Sequence, residues 1–182
     1  AGQRGPAFLT SMIIRDERES DVTAVRALTE AAFADVPQSR QTEAAVIDAL
    51  RAAGALTLSL VAVDDADEVV GHVAVSPVLI DGHALGWYGG GPLSVRPDRH
   101  RSGIGTALVR AAFERCREIG ARGCVVVGDP AYYGRFGFVS GAESLSMPGV
   151  PAENLLVLAL GDEMPSGVVA FHPAFGAQGG SQ

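Results

Sequence analysis

From Met12 onward the spacing of apolar residues changes several times, and each change marks a new element. Residues 12–15 are short and apolar-leading, which predicts a strand. Asp21 then stands where it can cap a helix, and Val22, Val25, Leu28, Ala32 and Phe33 recur at helical spacing until Pro37 closes the run. A second amphipathic helix is predicted over about 41–53, with Val46, Ile47 and Leu50 on one face and Gly54 as its stop.

The period then drops to two. Residues 57–63 and 69–75 are rich in β-formers and flank the acidic turn Asp64-Asp65-Ala66-Asp67, so they predict a hairpin. Residues 78–80 read as a third strand that turns at Asp81-Gly82, and 91–95 (GPLSV) as another. Pro92 has no N–H to give to a sheet ladder and follows glycines 89 to 91, so a bulge or irregular edge is expected there.

From Gly103 the period returns to helical, with Ile104, Ala107, Leu108, Ala111, Ala112 and Ile119 on one stripe that ends at Gly120. Residues 124–127 (CVVV) form a continuous apolar run of the kind buried on both faces of a sheet. Strand, crossover helix and buried strand make one βαβ unit, expected to be right-handed. A helical turn near 132–136, a strand after Gly137 and a last strand over 154–160 complete an α/β layout without repeats.

Composition narrows the function classes. The 182 residues are 47% hydrophobic and 19% charged, which suits a single globular domain. A formal charge of −7 repels phosphodiester backbones, so no nucleic-acid partner is expected, and any phosphate site must be local. That draws attention to Arg96, Arg99, Arg101 and Arg110. Cys116 and Cys124 are too few for a disulfide framework and read as reduced, packed thiols of a cytoplasmic protein. No apolar run approaches the roughly 18 residues that would cross a bilayer, so no membrane partner is expected. Residues 1–11 read as an expression remnant or disordered lead, 12–176 as the domain, and 177–182 as a loose tail.

The chemistry centres on HRSGIGTAL, residues 100–108. The first turn of a helix offers unpaired N–H groups and a positive dipole end, which together suit an anion. Gly103 and Gly105 allow close approach, Ser102 and Thr106 add hydroxyls, and a pyrophosphate is a good geometric fit. The plain alternative is a tight strand-to-helix turn. Two nucleotide motifs are excluded: position 108 is Leu where a dinucleotide fingerprint needs glycine, and no Lys is present for a Walker A loop.

The segment VRPDRHRSGIGTALV, residues 95–109, closely resembles the acyl-coenzyme A motif V-x-P-x-x-[QR]-x-x-G-x-[GA] of the GCN5-related N-acetyltransferases (GNAT). YYGRFGF at 132–138 is similar to that family's later Y-x-K-x-G-F, one helix and one strand downstream as in the family. The ending GVVAFHPAFG and the run DPAYYGRFGF resemble the family's bacterial YhbS-like branch. The resemblance implies an α/β (α+β) GNAT fold, with a mixed central sheet of about six or seven strands and about four helices. It further implies acetyl-CoA as co-substrate, no metal, and acetyl transfer to a primary amine of a small molecule or protein by direct attack. Main-chain groups of Leu93, Ser94 and Val95 would meet the pantetheine arm. His100, Arg101, Ser102, Gly103, Ile104, Gly105 and Thr106 would wrap the pyrophosphate, with His100 departing from the usual Gln or Arg. Tyr133 matches the tyrosine that protonates the leaving sulfur, and Tyr132 reads as a core residue.

The general base stays open among Glu43, His72, Asp129 and a water chain, because WYGGGPLSV carries no carboxylate where many relatives have a Glu. His83 and His172 read as structural. Two alternatives also stay open: a coenzyme A-binding module without catalysis, and an acyltransferase that uses a longer acyl-CoA. Homodimerisation through C-terminal strands is a further open expectation.

Overall fold

A computed structural model describes residues 11–141 and 143–177. Most of the expected lead and tail lies outside them. The first strand, β1, is Ile13–Asp16, followed by helices α1 (Val22–Phe33) and α2 (Glu43–Ala52). Strands β2 (Leu58–Val63), β3 (Val69–Ile80) and β4 (Trp87–Val95) lead to α3 (Ile104–Glu118) and β5 (Gly123–Val127). After the short α4 (Pro130–Tyr133) come β6 (Val139–Ser140), β7 (Leu145–Ser146), β8 (Leu155–Ala159) and β9 (Gly167–Phe171). The sheet runs β1-β2-β3-β4-β5-β8-β6, with β9 paired to the far half of β3 and to β7.

Period-two alternation sorts the two faces. Leu58, Leu60 and Ala62 of β2 join Ile104, Leu108, Ala112 and Cys116 of α3 in the main core. Val61 and Val63, one register away, pack with Val25 of α1 and Ile47 of α2. The sheet is therefore covered on both faces and the βαβ unit β4-α3-β5 is parallel, as Trp87 to Gly89 pair with Gly123 to Val125.

Three expectations change. Residues 78–80 do not form a separate strand; they continue β3 through Pro77, because β9 supplies a new antiparallel partner for Val78 to Ile80. The strand over 154–160 is not the last, since β9 follows it, and with the two-residue β6 and β7 the described strands number nine. Asp21 stands at the start of α1 but does not cap it. Its carboxylate instead accepts from both Arg15 Nη atoms at 2.6 and 3.1 Å and from the Arg18 N–H at 2.7 Å, which ties β1 to the turn before the helix.

The irregularity expected at Pro92 is present and is what opens the sheet. Val73 pairs with Leu93 and Val75 with Gly90, so Ala74 alone faces both Gly91 and Pro92, with the Gly91–Pro92 peptide cis. Beyond Gly89 the pairing of β4 with β5 stops, while β5 goes on to pair with β8. Between the parting strands, main-chain groups of β4 are left for something other than β5.

Candidate active site

Three cavities meet at this parting. A groove of about 630 Å³ lies between the end of α1 and the start of α3, lined by Leu93, Val95, His100, Arg101 and residues 103–106. A second cavity of about 550 Å³ lies beside Gly90 to Leu93, Glu43 of α2, Tyr133 and Phe171. A small inner cavity of about 30 Å³ is enclosed by Val73, Leu93, Cys116, Cys124, Val126 and Tyr133 among others. Leu93 lines all three, Phe33 the two large ones, and Tyr133 the inner and the second.

The groove is built from the loop up. Arg101 at φ 62 and Gly103 at φ 84 both take the left-handed conformation, which turns the chain sharply into α3. Glycine suits the second of these positions, and it stands as the N-cap without a side chain to compete for the helix's first N–H groups. A Cβ on Gly105 would lie 3.0 Å from the Tyr132 hydroxyl, so the bare backbone lets that phenol stand against the first turn. Tyr132 is thus a wall of the groove and not the core residue expected.

The loop's side chains divide. His100 is hydrogen-bonded through Nε2 to the Val95 carbonyl at 3.0 Å, so its imidazole braces the loop against the end of β4. The Ser102 hydroxyl donates to the Arg99 carbonyl, and Ser102 is not among the groove's lining residues. Ser94 is buried with its hydroxyl 3.5 Å from that of Thr29 on α1, leaving only its main chain for the parting. Leu93 and Val95 flank it and line the groove.

The four arginines singled out by sequence separate too. Arg96 is held by Asp98 at 2.7 Å and Glu68 at 3.0 Å, away from the groove. Arg99 lines the groove but pairs with Asp64 at 3.2 Å, Arg101 lines it, and Arg110 does not. Arg135 is the groove's third arginine, its guanidinium 4.6 Å from the centre of the Tyr132 ring. Sequence reasoning missed Arg135, although it holds the Lys position of the family's Y-x-K-x-G-F pattern. All fourteen cationic residues of the chain are arginine, so the groove's cations are guanidinium groups throughout.

Tyr133 sits where the inner cavity and the second cavity touch. A Cβ on Gly128 would come within 2.6 Å of its ring, and Phe138 and Tyr132 flank it edge-on with centroids 5.6 and 5.0 Å away. Burial pushes its hydroxyl up to about 12, and Tyr132 adds to the shift. The group therefore keeps its proton throughout the neutral range.

The three candidate bases fare differently. Glu43 lines the second cavity, and Ser39 donates to its Oε1 at 2.5 Å. His72 is fully buried on β3, bonded through Nε2 to Ser59 at 2.8 Å, and burial with a smaller push from Arg51 lowers it to about 4. Asp129 accepts from the Ala131 N–H at 2.8 Å as the cap of α4. His172 likewise caps a turn by accepting from the Ala174 N–H at 3.0 Å. Cys116 and Cys124 are buried as free thiols on α3 and β5; their mutual hydrogen bond and burial push Cys124 far up, which leaves it a poor nucleophile.

Among the described residues no three His, Cys, Asp or Glu side chains gather as a metal site, and no helix is long and apolar enough to cross a membrane.

Comparison with known proteins agrees with this geometry. Residues 56–140 match the model of the acetyltransferase (GNAT) domain, which spans the parting, the loop, α3 and Tyr133. The uncharacterized N-acetyltransferase YhbS of Escherichia coli is 39% identical over 127 residues, covering 70% of this chain and 73% of that protein. A crystal structure of E. coli YhbS in complex with CoA superposes with a TM-score of 0.86 at 35% identity, covering 98% of each chain. A GNAT family acetyltransferase from Brucella melitensis, solved with acetyl-CoA, gives a TM-score of 0.82 at 49% identity over 91% of this chain and 99% of that one. With motif, splayed sheet and relatives all in agreement, this chain belongs to the GNAT family of N-acetyltransferases.

Proposed function

We propose that the chain transfers an acetyl group from acetyl-CoA to a primary amine by direct attack, with the donor in the groove and the acceptor in the second cavity. The observation that carries this is the sharing of Leu93 and Phe33 between the two large cavities, which brings donor and acceptor together where β4 leaves β5. Main-chain groups of Leu93, Ser94 and Val95 face the pantetheine arm, as an added strand would. The N–H groups of Arg101 and of residues 103–106, with the guanidinium groups of Arg101 and Arg135, hold the pyrophosphate.

The amine nitrogen bonds to the thioester carbonyl carbon, and the carbon–sulfur bond then breaks. The ammonium proton leaves toward Glu43, directly or through one water, and the departing sulfur takes a proton from the Tyr133 hydroxyl. Products are an amide and a free thiol. Tyr133 recovers its proton from solvent or from the protonated base. Both cysteines act as bystanders, as befits reduced thiols in the cytoplasm, and no acyl-enzyme forms.

Two measurements test this. Calorimetric titration should show CoA binding that Arg101→Ala weakens. Thiol release from acetyl-CoA should require an added amine. Binding without amine-dependent release would instead favour a coenzyme A-binding module.

The inner cavity favours a second donor reading. Its volume of about 30 Å³ corresponds to roughly two water-sized positions. Propionyl- and butyryl-CoA would then serve as donors and longer chains would not, which competition against acetyl-CoA decides. Homodimerisation, through the two-residue edge strand β6 with Val139 exposed, is tested by sedimentation.

A further inference from the structure

We propose that the acceptor is a monoamine carried on an apolar body of aromatic size, with its ammonium received by Glu43; this rests on the transfer reading above. The second cavity, at about 550 Å³, has room for one small molecule. Its walls are mainly apolar. Phe33, Phe171, Phe175, Met147 and Val150 line it, and Glu43 is the one charged side chain among the described residues that line it.

That single charge decides between amine classes. A polyamine or an aminoglycoside brings several ammonium groups, and each one beyond the first would be desolvated against apolar walls without a counter-charge. A lysine side chain brings one ammonium, but its thin stem would leave the aromatic wall mostly uncovered. A monoamine that carries an aromatic ring on a short linker satisfies both ends. The ammonium meets Glu43, whose Oε1 is held by Ser39 while no described residue donates to Oε2. The ring meets Phe171 and Phe175, which stand edge-on with centroids 4.9 Å apart.

The aromatic wall is a fixed part of the fold. Phe171 ends β9, where it pairs with Val78 of β3, and Phe175 packs with Val46 and Leu50 of α2 beside Ala174. Glu43 opens the same helix α2. One helix therefore positions the charge and buttresses the wall, which sets the distance between ammonium and ring.

The test measures thiol release from acetyl-CoA by the full chain against 2-phenylethylamine, spermidine and a lysine-containing peptide. The expected result is a kcat/KM for 2-phenylethylamine about tenfold or more above the other two. Phe171→Ala should raise KM for 2-phenylethylamine by about tenfold, with Phe171→Leu in between and the KM for acetyl-CoA unchanged as the control for folding. Glu43→Gln should raise the amine KM by about tenfold and also lower turnover, since the same carboxylate takes the amine's proton. Preference for spermidine or peptide, or indifference to Phe171, overturns the acceptor assignment while transfer itself stands. Absence of release with every amine overturns the transfer reading and this inference with it.

Discussion

Gly128 exists as a glycine because Tyr133 fills the place of its side chain: a Cβ there would stand 2.6 Å from the ring's Cε2 and 3.1 Å from Cδ2. The residue that follows β5 thus sets the angle at which the phenol enters the parting of the sheet. Gly128→Ala must push the ring aside, since the clashing atoms belong to a packed ring and not to a free chain end. We expect turnover to fall by about tenfold or more, because misplacement of a reacting group by an ångström has costs on that scale. The melting temperature and the KM for acetyl-CoA should change little, and an unchanged kcat would refute the placement.

On the proposed mechanism, Tyr133→Phe removes the proton source. Turnover should drop by about a hundredfold, the lower end of what a positioned acid contributes, with CoA affinity nearly intact. The pH profile separates this role further. With its hydroxyl raised to about 12, Tyr133 stays protonated well beyond neutral pH. Activity should therefore rise as the acceptor ammonium deprotonates and show no basic limb from this group below about pH 10. A falling limb near pH 8 to 9 that vanishes in the phenylalanine variant would contradict it.

Arg101 and Arg135 are the groove cations without a carboxylate partner among the described residues. Replacing either by alanine should raise the KM for acetyl-CoA by about threefold to tenfold, more at low salt than at high salt. Arg96→Ala serves as the contrast. Its charge is spent on Asp98 and Glu68, so donor KM should stay put.

We expect His72 to govern stability and not chemistry. Its folded pKa, near 4, lies below the ordinary value of 6.5, so between those pH values the unfolded chain binds more protons than the folded one. Stability from this group is complete above pH 6.5 and is lost as pH falls toward 4, up to about 3 kcal/mol. Urea midpoints measured from pH 7 to 4 should show this decline, and His72→Gln should flatten it while keeping turnover at neutral pH.

Much of this was legible in the chain. The loop at 100–106, the irregularity at Pro92 and the parallel unit around α3 follow from local spacing, because glycine, proline and period act over a few residues. What escaped depends on distant partners. β3 passes through Pro77 only because β9, some ninety residues later, pairs with its far half. Asp21 forgoes its cap because Arg15 competes for the carboxylate. Arg135 joins the groove, and Glu43 alone of the three named base candidates reaches the second cavity, through packing that no short window contains.

The parting of β4 from β5 also has a kinetic consequence. On the proposed mechanism the donor and acceptor cavities share Leu93 and Phe33, and the two cysteines, both buried, carry no acyl group between them. Both substrates must then be present together before any bond changes. Double-reciprocal plots at several fixed amine concentrations should intersect, where parallel lines would betray a two-stage exchange. Filling of either cavity alone is unproductive, so a gap in a sheet acts as the device that makes reaction wait for the second arrival.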